Sequence, residues 1–177
     1  NWMYAGVIPT STWRGAMTIP REVSLTQLNG EIRLAQQPIR EIETLWLQQT
    51  VESDIIISGD FNFSETKGVR SQTLDLDVTF DIGNASSVGV RFDYGDGVSM
   101  QVGYDQQKGV FYSDRRQSGN TGFHDSFGGL HEAGVQINGS IVTMRVFLDW
   151  SSVEFFAQNG TVVFTNQIFP PEKAPDI

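Results

Sequence analysis

The chain has 177 residues, a formal net charge of -9 and no Cys. That length fits one domain, or one domain with a piece of another, and can bury a core without covalent staples. Zero Cys excludes a disulfide framework, and the acidic balance opposes binding to phosphate backbones, so no nucleic-acid partner is expected.

No apolar run approaches the length of a membrane span, so no membrane partner is expected either. The N-terminus shows no basic region followed by an apolar one and no initiating Met, so Asn1 reads as a cut end. "NWMYAGVIP", "RGAMTIPREVSL" and "GEIRLAQQP" then read as three strands ending before Pro38. Met17, Ile19, Val23 and Leu25 share a face of the second, and Pro20, which cannot donate to a ladder, belongs at an edge or bulge. Three strands close neither a sandwich nor a propeller, so residues 1–37 are expected to be poorly ordered unless paired with other strands. A short helical candidate, equally readable as an extended linker, spans Pro38 to Leu47, with Leu45, Trp46 and Leu47 as apolar anchors of a junction.

From residue 73 the pattern is strand after strand. In "TLDLDVTFDI", Leu74, Leu76, Val78, Phe80 and Ile82 alternate with polar residues, which gives one buried and one wet face. "SVGVRFDY" follows, then a "GDG" hairpin signal, then Val98, Met100, Val102 and Tyr104 in alternation, then "VFYSDRR". Residues 117–134 read as an irregular loop crossing between sheets. "SIVTMRVFLDW", "SSVEFFA" and "TVVFTNQIF" close the series, with Asn138-Gly139 and Asn159-Gly160 as hairpin turns. Strands every eight to twelve residues predict an all-β fold, a two-sheet antiparallel sandwich or a barrel.

Several groups invite a chemical reading. Asp75 and Asp77 share a strand face, but alternation alone requires a polar face there. Asp93 and Asp96 flank a glycine turn and read as turn residues. His124, Asp125, His131 and Glu132 match no compact zinc spacing, so no metal site is assigned and no cofactor is implied. Asp114, Arg115 and Arg116 at a strand end read first as a structural ion pair and second as a sugar-binding group. Trp2, Tyr4 and Trp13 form the densest aromatic cluster, suited either to a core or to stacking on a sugar. Asn62, Asn84, Asn138 and Asn159 each open an N-x-[ST] acceptor for glycosylation.

The run "NWMYAGVIPTSTWRGAMTIPREVSL" resembles the last catalytic-domain segment of glycoside hydrolase family 32, which includes invertases, inulinases and levanases. The match rests on Asn1, Trp2, Tyr4, Ile8, Pro9 and Thr10, then Trp13, Arg14, Gly15, Ala16, Met17, Ile19, Pro20, Arg21 and Leu25. "FYSDRRQSGNTGFHDSF" and "LDWSSVEFFAQNGTVVFTNQIFP" resemble two runs of that family's sandwich. The resemblance implies residues 1–37 as closing strands of a five-bladed β-propeller, 38–47 as a linker and 48–177 as a β-sandwich. It implies a retaining β-fructofuranosidase-type enzyme acting on sucrose or fructan. Its nucleophile, transition-state and acid/base carboxylates would lie in motifs that this sequence does not contain. No catalytic residue is carried over, and the chain alone is expected to be inactive, with the N-terminal propeller portion as its partner. Trp2 and, more weakly, Tyr4 are carried over as wall of the sugar pocket. Secretion is the implied location. The alternative is a noncatalytic sandwich that binds fructan or mediates a homo-oligomer.

Overall fold

The structure is a computed structural model that describes residues 2–177. Ten strands account for nearly all the regular structure. A hairpin, β1 (Arg21–Leu28) and β2 (Glu31–Pro38), precedes a 3-10 turn at Arg40–Leu45 and a short helix, α1 (Phe63–Lys67). Eight strands follow: β3 (Leu74–Asp81), β4 (Ser87–Gly95), β5 (Val98–Asp105), β6 (Val110–Asp114), β7 (Leu130–Gly134), β8 (Ile141–Asp149), β9 (Ser152–Ala157) and β10 (Val162–Gln167). They form two four-stranded antiparallel sheets, ordered β10-β9-β8-β3 and β4-β5-β6-β7. The predicted sandwich is the observed fold.

The alternation explains the core. Phe92, Met100, Phe111, Met144, Val146 and Phe155 all point between the sheets and are fully buried. Phe111 meets Phe155 edge-on from the opposite sheet, with ring centroids 6.2 Å apart. The chain end seals one edge: Phe63 donates its N–H to the Ile177 carbonyl at 2.7 Å, and Asp93 and Asp176 exchange backbone hydrogen bonds at 2.8 Å.

Four local expectations are corrected. The first of the three N-terminal strands does not form. Residues 2–7 turn back on themselves, with Val7 donating to the Tyr4 carbonyl at 3.0 Å. The second strand starts only at Arg21, because Pro20 interrupts the ladder and the Ile19 N–H goes to the Glu154 carboxylate at 2.8 Å instead. The Asn138-Gly139 turn is not a hairpin: β7 and β8, which it joins, lie in different sheets. Asn159, by contrast, has a φ of 55° in a true hairpin between β9 and β10. The region read as an irregular loop ends in a strand, β7, paired with β6.

The β1–β2 hairpin has two unlike faces. Ala35 is buried and Leu28 packs against the sandwich core. On the other face Val23, Leu25, Ile32 and Leu34 stand together in register, with Leu25 73% and Ile32 76% exposed. A two-stranded ribbon with an uncovered apolar face is not stable by itself, so what holds it to the sandwich matters.

Candidate functional site

The N-terminal segments meet the sandwich at four places. At the first, Glu154 on β9 is buried and receives the Ile19 N–H and the Arg21 guanidinium. Arg21 also donates to Gln36 Oε1 at 3.1 Å and Thr165 Oγ1 at 2.6 Å, and stacks 5.0 Å above the Phe156 ring. At the second, Gln36 donates its N–H to the Gly160 carbonyl at 2.9 Å. Gly160 has a φ of +76°, and a Cβ there would overlap the Gln36 carbonyl, so only glycine lets β2 come this close. At the third, the hairpin tip is tied down: Asn29 Nδ2 donates to the Gln136 carbonyl at 3.1 Å, and Asn138 Nδ2 donates to Asn29 Oδ1 at 2.8 Å.

The fourth joint is a buried aromatic cluster of Tyr4, Ile8 and Phe127, with Phe123 and Phe169 packed around it. Arg115, only 5% exposed, lies beneath it. Its guanidinium carbon sits 4.3 Å from the Phe127 ring centre, and it donates to the Tyr4 hydroxyl and the Gln167 carbonyl, both at 3.0 Å. Among the described residues Arg115 has no carboxylate partner. Ring faces and two neutral acceptors stand in for one, a cation–π arrangement that gains strength when desolvated.

The candidate residues therefore separate by place. Tyr4 is committed to the protein at ring and hydroxyl. Trp2, two residues earlier, is 96% exposed beside it. Trp13 is exposed and does not join the cluster. Asp75 is an anchor: it holds Arg145 through hydrogen bonds of 2.9 and 2.7 Å and accepts from Trp46 Nε1 at 2.8 Å. That places the Trp46 of the junction on the outer face of β3. Asp77 contributes a further negative charge that, after Asp75, holds the Arg145 guanidinium above its ordinary value. Asp93 Oδ1 accepts the Gly95 N–H at 2.8 Å, and Asp96, with a φ of 53°, makes the adjoining turn.

His124 and His131 are not brought together as ligands. His124 Nδ1 accepts the Ser126 N–H at 3.1 Å and its ring faces Tyr4, whereas His131 lies on β7 opposite Ser113. Among the described residues no three His, Cys, Asp or Glu are grouped to hold a metal ion. Burial, then the charge of Arg115, pushes the His131 imidazole below its ordinary value. The Asp114-Arg115-Arg116 run splits: Asp114 pairs with exposed Arg116 at 2.6 Å, while Arg115 turns inward. The Arg116 hydrogen bond holds the Asp114 carboxyl below its usual range.

The four glycosylation acceptors are all exposed. Asn62 also caps α1, its Oδ1 accepting the Glu65 N–H at 2.7 Å. Glu154 was not singled out from the sequence, although it carried a signal: one carboxylate amid Val153, Phe155, Phe156 and Ala157 needs a buried partner. Arg115 gave no such signal, because Asp114, Arg115 and Arg116 at a strand end read first as a structural ion pair.

The described residues thus form a two-sheet sandwich with a strand hairpin clamped to one outer face. The chain belongs to glycoside hydrolase family 32: the family model for "Glycosyl hydrolases family 32 C terminal" matches residues 41–177. It is 36% identical over 173 residues to a levanase of Bacillus sp. (strain L7), covering 96% of this chain and 19% of that protein. It is 31% identical over 181 residues to the extracellular exo-inulinase of Aspergillus niger, covering 98% of this chain and 33% of that protein. The crystal structure of exo-inulinase from Aspergillus awamori superposes with a TM-score of 0.85 at 27% identity, over 99% of this chain and 35% of that one. The chain thus spans between a fifth and a third of the length of these curated relatives.

Proposed function

We propose that this chain is the C-terminal part of a β-fructofuranosidase-type hydrolase acting on sucrose or on fructans such as levan or inulin. Residues 1–37 end a β-propeller, 38–47 link, and 48–177 form the sandwich. The observation that carries this reading is the hairpin. Its ends and tip are clamped to the sandwich through Arg21, Gln36 and Asn29, while Val23, Leu25, Ile32 and Leu34 present an apolar face of the kind that a neighbouring strand layer covers. The similarity to a levanase and an exo-inulinase supports the substrate class.

In this reading a retaining reaction runs on carboxylates of the upstream part: one attacks the anomeric carbon and another protonates the leaving oxygen. The present residues hold and shape. Tyr4, fixed by Arg115, sets the direction of the segment that bears Trp2, and Trp2 offers a ring face to the fructosyl unit. Secretion and glycosylation at Asn62, Asn84, Asn138 and Asn159 complete the proposal. It is supported by a relative named as extracellular and tested by the mass shift on endoglycosidase treatment. The test of function is sugar release from sucrose, inulin and levan by the full-length protein, its Trp2→Ala variant and this chain alone. Cleavage by the full-length protein, impaired in Trp2→Ala and absent from this chain, is expected. Cleavage by this chain alone, or none by the full-length protein, overturns the reading.

A further inference from the structure

The two sheets differ in what lies on their outer faces. The outer face of β10-β9-β8-β3 is covered by Arg21 over Phe156 and by Trp46 on Asp75. Among the described residues the outer face of β4-β5-β6-β7 carries no comparable cover, and two of its rungs have an unusual content. One rung aligns Arg91, Gln101 and Asp114; the next aligns Gly89, Gly103 and Tyr112. A Cβ on either glycine would collide with the backbone of the facing strand, so this rung admits no side chain there. The end of the Tyr112 ring lies across it, with the hydroxyl 3.2 Å from where a Gly89 Cβ would stand.

Tyr112 points away from the core and is half-buried. Its hydroxyl has no partner among the described residues, yet it is not sealed from water. Burial, then the charges of Asp105 and Asp114, push the phenol upward, so it stays a neutral donor. In the adjoining rung the Gln101 amide has no side-chain partner among the described residues. Arg91 is half-exposed, with its nearest carboxylates, Asp60 and Asp93, at 3.6 Å. Asp114 is held in one orientation by Arg116. A ring that merely covered the glycines would need no such neighbours. A ring with a donor hydroxyl, an amide one strand away, a guanidinium two strands away and a fixed carboxylate on its own strand, set at spacings of about 5 Å per strand across and about 7 Å along, fits a neutral polyhydroxylic chain. The net charge of -9 disfavours a polyanion.

We propose that Tyr112, Gln101, Arg91 and Asp114 form a binding site for a neutral fructose polymer, the identity of the sugar resting on the function proposed above. The ring stacks on the apolar side of a sugar unit, and the amide, guanidinium and carboxylate take its hydroxyls. The test is migration of the full-length protein in native gels containing levan, inulin or dextran, with cleavage of levan and inulin measured on the same samples. Retardation by a fructose polymer but not by dextran is expected. Weakening of about tenfold or more in an Arg91→Ala/Gln101→Ala variant is also expected, from loss of charge-assisted hydrogen bonds. Tyr112→Phe should weaken retardation while keeping the glycines covered, and unchanged melting of the variants shows that folding is not the cause. Equal retardation of wild type and variants, none of the wild type, or equal retardation by dextran overturns the site. Site-dependent retardation without cleavage upholds the site and overturns the function instead.

Discussion

Arg21 and Glu154, 133 residues apart in sequence, form an ion pair whose two side chains are both largely buried. One carboxylate fixes the end of the N-terminal approach, through the Ile19 N–H, and the first residue of β1. Removing one member of a buried pair leaves the other charge unmet, at a cost of about 3–5 kcal/mol. Glu154→Ala is therefore expected to lower stability by about that amount in chemical denaturation. It should also speed hydrogen exchange over residues 21–38 before it affects β3 or β8.

The Gly160 contact offers a second, steric handle on the same joint. Gly160→Ala combines a left-handed backbone with overlap on the Gln36 carbonyl. A loss of about 1–3 kcal/mol is expected, and β2 should loosen from the β9–β10 turn. A Gly139→Ala control shares the positive φ but meets no atom within 4 Å, so its smaller loss would isolate the steric part.

Tyr4 and Arg115 test the aromatic joint. Tyr4→Phe keeps the edge-on ring contact with Phe127 but leaves Arg115 one acceptor short, which should cost about 1–3 kcal/mol. A double-mutant cycle with Arg115→Met should show clear coupling, because the two groups are in direct contact. Trp2 is not part of that contact, so Trp2→Ala should leave the melting temperature unchanged.

The sandwich strands were legible because β3, β4, β5 and β8 each alternate apolar and polar residues over a full strand length. The misreadings have physical causes. The stretch Met17 to Leu25 keeps its alternation across Pro20, but a missing N–H and the pull of Glu154 end the strand there. β7, "LHEAG", is five residues with little apolar content, so nothing marks it as a strand except its pairing with β6. α1 is likewise five residues, too short to show a helical period, although Asn62 before it and Gly68 after it are ordinary caps. The reach of Arg115 toward Tyr4 spans 111 residues, and no local pattern encodes it.

His131 gives a pH signature. Its folded-state value lies below the ordinary 6.5, so the folded protein resists the proton that the unfolded chain takes up. Its contribution to stability is complete above the unfolded value and is lost as pH falls below it through the folded value. Melting temperature should therefore decline on acidification from pH ~7 toward ~5. In His131→Gln that decline should be shallower, and equal slopes would count against the burial and Arg115 effects.

Under the proposed function the β1–β2 hairpin serves two bodies: its ends and tip are clamped by Glu154, Gly160 and Asn138, and its Val23, Leu25, Ile32 and Leu34 face is covered by upstream chain. Hydrogen exchange over residues 21–38, compared between this chain and the full-length protein, tests it most directly. The account predicts markedly slower exchange there in the full-length protein, with the sandwich strands little changed. Identical exchange of the hairpin in the two proteins would contradict it.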